Sequence, residues 1–303
     1  MSLLVSGWVA VDEIETPFGA SGASLGGSAT FTLFAGALFT DVRLLAAVGP
    51  DFPDSMRAQL AHPRIDISGL ATEDGTTSRW GAKYGYDLNT REDLYTHVGV
   101  NESWQPEIPA VWRDTRSAVL SAAHPYVQRK LSGQLTAKRA TIMDTIRFYI
   151  ANWPREILEV LGEATFVTMN DGEARELTGE ASIAKATRNL LQRGANAVII
   201  KLGEYGAVYA TKDEYFVAPG YPLEEVIDPT GAGDAFAGAF MGYLDSVDEI
   251  TAVEIRRGIL YGSTVASFCV EGLGPTRLFT LTRDEVERRY RTFRALTHVE
   301  VDG

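Results

Sequence analysis

Only one cysteine, Cys269, stands among 303 residues. A lone thiol forms no internal disulfide and by itself holds no zinc, so a cystine-stapled fold is excluded and a buried small hydrophobe in a reducing compartment is expected. Positive charge is also short, with 28 Lys and Arg against 40 Asp and Glu and a formal net charge of −12. That balance argues against non-specific binding to nucleic acid or to an anionic membrane surface, while leaving room for a local basic site for an anionic substrate. Met1 to Val11 lacks a basic leader and meets Asp12 after a short apolar stretch. Neither a signal peptide nor a membrane span is expected there, and the cytoplasm is the expected compartment. Long repeats, low-complexity tracts and linkers are missing. So are two nucleotide fingerprints: G-x-x-x-x-G-K-[ST], and G-x-G-x-x-G opening a helix with an acid about 20 residues on. Their absence sets aside a P-loop protein and weighs against a nicotinamide enzyme.

What remains is a composition of 45% hydrophobic and 22% charged residues, ordinary for a globular protein able to bury a full core. The length predicts a single α/β domain with an appendage. Leu3 to Val11 alternates and reads as a first sheet strand, with Asp12 at its exit. In open α/β sheets ligands bind beyond the carboxyl ends of strands, so Asp12 is a candidate acceptor for a substrate hydroxyl, a turn-capping acid being the other reading. Leu25-Gly26-Gly27-Ser28-Ala29-Thr30-Phe31 opens a helix on a glycine pair. Leu44 to Val48 and the segment from Asp51 to Leu60 continue a strand-helix rhythm. From Thr76 to Val100 aromatic and β-branched residues alternate with polar ones around the turn-like Asp87-Leu88-Asn89-Thr90. A β-hairpin is predicted, standing apart from a parallel sheet. Strands follow at Ala118–Ala122, Ala140–Met143, Phe166–Met169 and Ala197–Lys201. Helices are expected after Pro125, from Glu249 to Val270, where Gly258 and Gly262 allow close packing or a flat ligand, and from Leu281 to Thr292.

The chemistry concentrates in Val226-Ile227-Asp228-Pro229-Thr230-Gly231-Ala232-Gly233-Asp234, where a β-branched pair, read as a strand, runs into a glycine turn and a small-residue helix. Gly231 and Gly233 let the backbone approach a ligand, and the free N–H groups of the first helical turn point at the same place. The helix macrodipole favours an anion there, so phosphate is the natural guest. Asp234 then sets a carboxylate beside a bound phosphate, where it suits proton acceptance; the other reading is a first-turn acid that complements the dipole. Asn170-Asp171-Gly172-Glu173 has the spacing of a capping box, which by itself explains an Asn and a Glu three residues apart.

Asp-Pro-Thr-Gly-Ala-Gly-Asp followed by Ala-Phe-Ala-Gly-Ala-Phe resembles the C-terminal signature of the ribokinase-like (PfkB) carbohydrate kinases. Three further segments resemble family signatures in family order: Gly26-Gly27, Asn170 to Glu173, and Lys201 to Gly206 as K-x-G-x-x-G. Asp144-Thr145-Ile146-Arg147 resembles D-x-N-x-R. Two positions depart, with Phe31 and Ile146 where the family has asparagine. The resemblance implies a doubly wound, mostly parallel α/β sheet with helices on both faces, and a small projecting β-sheet lid. One kinase domain would span 1–303, with lid segments at about 12–25 and 72–104.

It further implies transfer of the γ-phosphoryl group of ATP to a hydroxymethyl group of a small sugar, or of a nucleoside ribose, with Asp234 as base and Thr230, Gly231, Ala232 and Gly233 as anion hole. Asp12, Gly26, Gly27, Phe31, Asp144 and Arg147 would meet the acceptor, and Lys201, Gly203, Gly206 and Asp228 the ATP. Asn170 and Glu173 would organise Mg2+ through water. The resemblance also allows a monovalent cation and a homodimer formed through the lid. The apolar replacements suit a base as well as a sugar ring. A binding protein that kept the fold and lost the chemistry is the other class of function.

Overall fold

The structure, a computed structural model, describes residues 2–297. In chain order its strands are β1 (Ser2–Ser6), β2 (Ala10–Thr16), β3 (Gly19–Gly26), β4 (Asp41–Val48), β5 (Ile65–Thr72), β6 (Ser78–Tyr84) and β7 (Arg91–His97). Then come β8 (Ser117–Leu120), β9 (Ala140–Asp144), β10 (Phe166–Asn170), β11 (Val198–Lys201), β12 (Ala207–Ala210) and β13 (Tyr215–Ala218). Nine of them form one sheet in the order β13-β12-β11-β10-β9-β8-β1-β4-β5, and β3-β2-β6-β7 form a second, smaller sheet. Every pairing from β5 to β11 is parallel, and only the β11–β12 and β12–β13 pairings are antiparallel, so β12 alone runs against the rest.

Alternation along the strands sorts their side chains between two cores. Leu3 and Val5 join a cluster with the helices Ser28–Ala37, Ala232–Ser246 and Ala252–Cys269, whereas Leu4 packs on the other face with Leu45, Ala118 and Leu131. Likewise Ile199 faces the first cluster, while Val198 and Ile200 face the helices Asp171–Thr178 and Ile183–Gln192. Helices thus cover both faces, which is what near-continuous apolar strands such as Val198-Ile199-Ile200 require. Gly258 and Gly262 serve close packing: an added Cβ would lie 3.0 Å from the Phe240 ring and 2.8 Å from that of Phe236. No described helix is long and apolar enough to cross a membrane.

Two readings of the sequence are corrected. Leu3 to Val11 is not one strand. Past Ser6 the backbone is diverted to the first long helix: the Trp8 carbonyl accepts from the Ala29 amide at 2.9 Å, and the Trp8 amide donates to Ser28 Oγ at 3.3 Å. Strand β2 then starts afresh in the small sheet, so Asp12 lies within a lid strand, paired with Ser24 and Trp80, and not at the exit of a main-sheet strand. Nor is Val226-Ile227 a strand. The Ile227 and Asp228 amides both donate to the Val270 carbonyl, at 2.8 and 3.3 Å, which ties the segment to a helix end rather than to a ladder. The hairpin expected from Thr76 to Val100 is present as β6 and β7.

Candidate active site

The lid sheet and the carboxyl ends of the main strands enclose a cavity of about 760 Å³. Its floor is the turn that leads into the helix Ala232–Ser246. Gly231 holds φ at 73°, and a Cβ there would lie 2.2 Å from the Phe31 ring, so both conformation and space demand glycine. Asp228 beneath is fully buried and braces the turn, accepting from the Thr230 amide at 2.8 Å and the Gly274 amide at 2.7 Å. It does not line the cavity. The Ala232 amide makes a long bond of 3.3 Å to the Pro229 carbonyl, while that of Gly233 has no acceptor among the described residues.

Beside this turn stand four charged side chains. Lys201 Nζ lies 2.6 Å from Asp144 Oδ2, both side chains well buried at 14% and 5% exposure. The ammonium also lies against the turn: a Cβ on Gly233 would come within 2.9 Å of it. Burial pulls the Lys201 pKa down, but the carboxylates of Asp144, Glu173 and Asp234 outweigh that and hold it above its ordinary value. Asp144 is raised by burial against the pull of Lys201. Asp234 is pushed up to about 7 by burial first and by the Asp144 carboxylate second, with Lys201 opposing. Glu173 also rises to about 7, through burial first. Asn170 and Glu173 form a complete capping box: Asn170 Oδ1 accepts from the Glu173 amide and Glu173 Oε2 from the Asn170 amide, each at 2.8 Å. Both also line the cavity.

On the side of the small sheet Asp12 is 3% exposed, and its Oδ2 accepts from the Gly27 amide at 3.0 Å. Its Oδ1 is buried without a partner, and burial raises the group to about 7. The glycine pair makes this approach possible. A Cβ on Gly26 would lie 2.0 Å from Asp12 Oδ2, and Gly27, at φ 84°, would clash with the Trp8 carbonyl. An unpartnered buried carboxylate oxygen is costly, so it marks a place for a hydrogen-bond donor.

Arg147 is largely exposed on the cavity rim, 3.5 Å from Glu176. Gly203 and Gly206 form the cavity-lining turn between β11 and β12. Phe31 touches the cavity but is 1% exposed, its ring spent on packing against Gly231. Ile146 is half-buried in the wall. Sequence reasoning missed the residues that close the site. Trp8 and Phe148, 6.5 Å apart, add an aromatic wall. From the lid, Tyr84 reaches the turn before the helix Ala232–Ser246 and accepts a bond of 3.0 Å from the Thr230 hydroxyl. Trp80 and Tyr84 share one strand face by their spacing, which was the available signal.

The chain matches the pfkB family carbohydrate kinase model over residues 21–280. It is similar to a cytidine kinase of Thermococcus kodakarensis, 33% identical over 254 residues that cover 80% of this chain and 88% of that protein. A nucleoside kinase of Methanocaldococcus jannaschii is 30% identical over 234 residues, covering 76% of this chain and 74% of the other. Among solved structures, that of a Burkholderia thailandensis nucleoside kinase in complex with inosine superimposes with a TM-score of 0.74 at 22% identity, covering 96% of each chain. The chain therefore belongs to the pfkB family of carbohydrate kinases, phosphotransferases whose acceptor is an alcohol group.

Proposed function

We propose that this kinase moves the γ-phosphoryl group of ATP to the hydroxymethyl group of a nucleoside ribose. The observation that carries the reading is the unpartnered Oδ1 of Asp12 at the edge of an aromatic and apolar wall. A ribose hydroxyl supplies the missing donor, and Trp8, Trp80, Ile146 and Phe148 offer a base flat apolar surface. The relatives named as cytidine and nucleoside kinases support it.

In this reading Asp234 takes the proton of the attacking hydroxyl. The amides at the start of the helix, with Thr230, hold the phosphoryl oxygens, and Lys201 offsets their charge from its place beside Gly233. The turn at Gly203 and Gly206 borders the nucleotide. Among the described residues no cluster of three acidic, His or Cys side chains could cage a metal. Buried Glu173 fits a magnesium ion carried mainly by phosphates and water, with this one carboxylate near its shell. Bound there, magnesium neutralises phosphate charge. Exposed Phe18, Tyr86 and Leu94 on the lid support pairing of two copies through that sheet.

The test is ATP consumption with cytidine, inosine, adenosine, ribose and fructose offered in parallel. Turnover of a nucleoside with ribose inert is expected. Turnover of ribose or fructose with every nucleoside inert makes this a free-sugar kinase instead.

A further inference from the structure

Two further segments line the cavity: Tyr221, Leu223 and Val226 ahead of Asp228, and Ala266, Ser267 and Val270 at the end of the helix Ala252–Cys269. The first lies outside every helix and strand, so no ladder holds it. It is packed closely on the turn at Gly203 and Gly206, since a Cβ on Gly220 would come 2.0 Å from the Glu204 carbonyl oxygen. On the reading that the nucleotide borders that turn, its base meets these two segments. Of the six side chains only Tyr221 and Ser267 carry a hydrogen-bonding group.

Arg289, on the last helix, Arg283–Thr297, does not line the cavity, yet it touches both segments. Its Nη1 donates to Ser267 Oγ at 3.0 Å, and its guanidinium carbon lies 5.1 Å from the centre of the Tyr221 ring. Two other contacts fix the fork: Nη2 donates to Glu271 Oε1 at 2.6 Å, and the guanidinium carbon lies 3.4 Å from the centre of the Phe268 ring. Stacked on a ring and paired with a carboxylate, a guanidinium keeps one orientation. The same helix holds Tyr221 a second time, with Phe293 edge-on to it at 5.6 Å.

These bonds set the polarity of one hydroxyl. Ser267 spends its single O–H on the Thr264 carbonyl at 2.7 Å, and Arg289 takes one of its two lone pairs. What is left can only accept. We propose that Arg289 is a positioning residue for the phosphoryl donor: it fixes Ser267 as a hydrogen-bond acceptor and holds Tyr221 in place, so that the site prefers a base with an exocyclic amino group to one with an oxo group at the same edge. An amino group donates to the remaining lone pair. An oxo group meets that lone pair with its own, and Ser267 can turn its O–H toward it only by giving up the Thr264 carbonyl.

The test is calorimetric titration of wild type, Ser267→Ala, Arg289→Met and Arg289→Lys with magnesium–ADP and with magnesium–IDP, which carries an oxo group where ADP carries an amino group. Wild type should bind ADP roughly tenfold tighter than IDP. Ser267→Ala should bring the two within about threefold by weakening ADP alone. Arg289→Met should narrow the ratio in the same way and weaken both nucleotides as Tyr221 loosens, with Arg289→Lys restoring part of each loss. In turnover, the ATP KM of Arg289→Met should rise about tenfold while kcat stays within about threefold. Equal binding of ADP and IDP by wild type, or an unchanged ratio in Ser267→Ala, overturns the proposal. So does an Arg289→Met protein that melts earlier yet binds both nucleotides as wild type does, which leaves Arg289 as a prop of the last helix. The titrations contain no sugar or nucleoside, so they read out even if the nucleoside assignment fails.

Discussion

Lys201 Nζ and Asp144 Oδ2 meet at 2.6 Å although 57 residues separate them in the chain. Their strands, β11 and β9, flank β10, so the pair spans the carboxyl end of the strand between them. It sits beside the turn at Gly233 and within the field of Glu173 and Asp234. One pair thereby links the order of the sheet to the protonation of the acid expected to act as base.

Removing one partner exposes that link. Asp144→Asn should destabilise the fold by about 3 kcal/mol in a denaturant titration, because a buried ammonium loses its nearest counter-charge. It should also lower the pKa of Asp234, since a repelling carboxylate disappears and Lys201 becomes freer to attract; both effects have the same sign. The acid limb of kcat/KM then moves to lower pH. A limb that stays put or rises would show that Asp144 does not act on Asp234.

In wild type the base form of Asp234 is lost as pH falls through about 7. kcat/KM should accordingly decline by about tenfold per unit below that point. Asp234→Asn should cost on the order of 10² to 10⁴ in kcat with ATP still bound, as the amide keeps the shape but accepts no proton. Near-normal turnover in this variant would remove Asp234 from the chemistry.

Asp12 poses a stability question with a definite sign. Its folded pKa of about 7 stands above the ordinary 3.8, so the native state holds a proton that the unfolded chain releases, and stability falls as pH rises between the two values. Asp12→Asn should therefore be more stable than wild type at pH 8, by roughly 1 to 3 kcal/mol, and show no such gain below pH 4. The same variant should bind its acceptor worse. A lower melting midpoint at pH 8 contradicts the assignment of a desolvated, unpartnered carboxylate.

Glu173→Gln keeps a carbonyl oxygen for the Asn170 amide, so the cap survives. Its expected signature is a higher magnesium requirement with a stability loss under about 1 kcal/mol. Unchanged metal dependence together with a full loss of cap stability would leave Glu173 as a capping residue alone.

Phe31→Asn separates wall from core. With the ring 1% exposed and pressed on Gly231, the substitution should cost on the order of 3 to 5 kcal/mol and weaken every acceptor alike through the distorted turn. A selective loss of nucleosides over sugars at unchanged stability would instead make Phe31 a contact of the base.

The motifs were legible because each is a local solution to a local problem. Asn170 and Glu173 cap their own helix within four residues, and the turn at Gly231 needs its glycine for a backbone angle written in place. Short apolar runs likewise announced β8 to β11, and alternation announced the hairpin of β6 and β7, since side-chain direction in a strand follows from spacing alone. Asp12 was misplaced for the opposite reason. Whether the chain continues β1 or leaves it depends on hydrogen bonds from Ala29 and to Ser28, some 20 residues on, which no window around Trp8 contains.

By itself, then, the sequence determined a parallel α/β scaffold, a glycine turn that opens a helix with an acid in its first turn, and an ordered set of kinase signatures. Tertiary structure alone decided which charges meet. Lys201 with Asp144, Tyr84 with Thr230 and Asp12 with Gly27 are joined between segments separated in the chain, and each pKa that matters is raised chiefly by burial, a property of the cavity. Spacing along a chain carries periodicity; desolvation and Coulomb fields depend on distances through space, and those exist only once the sheet order and the lid have closed around the site.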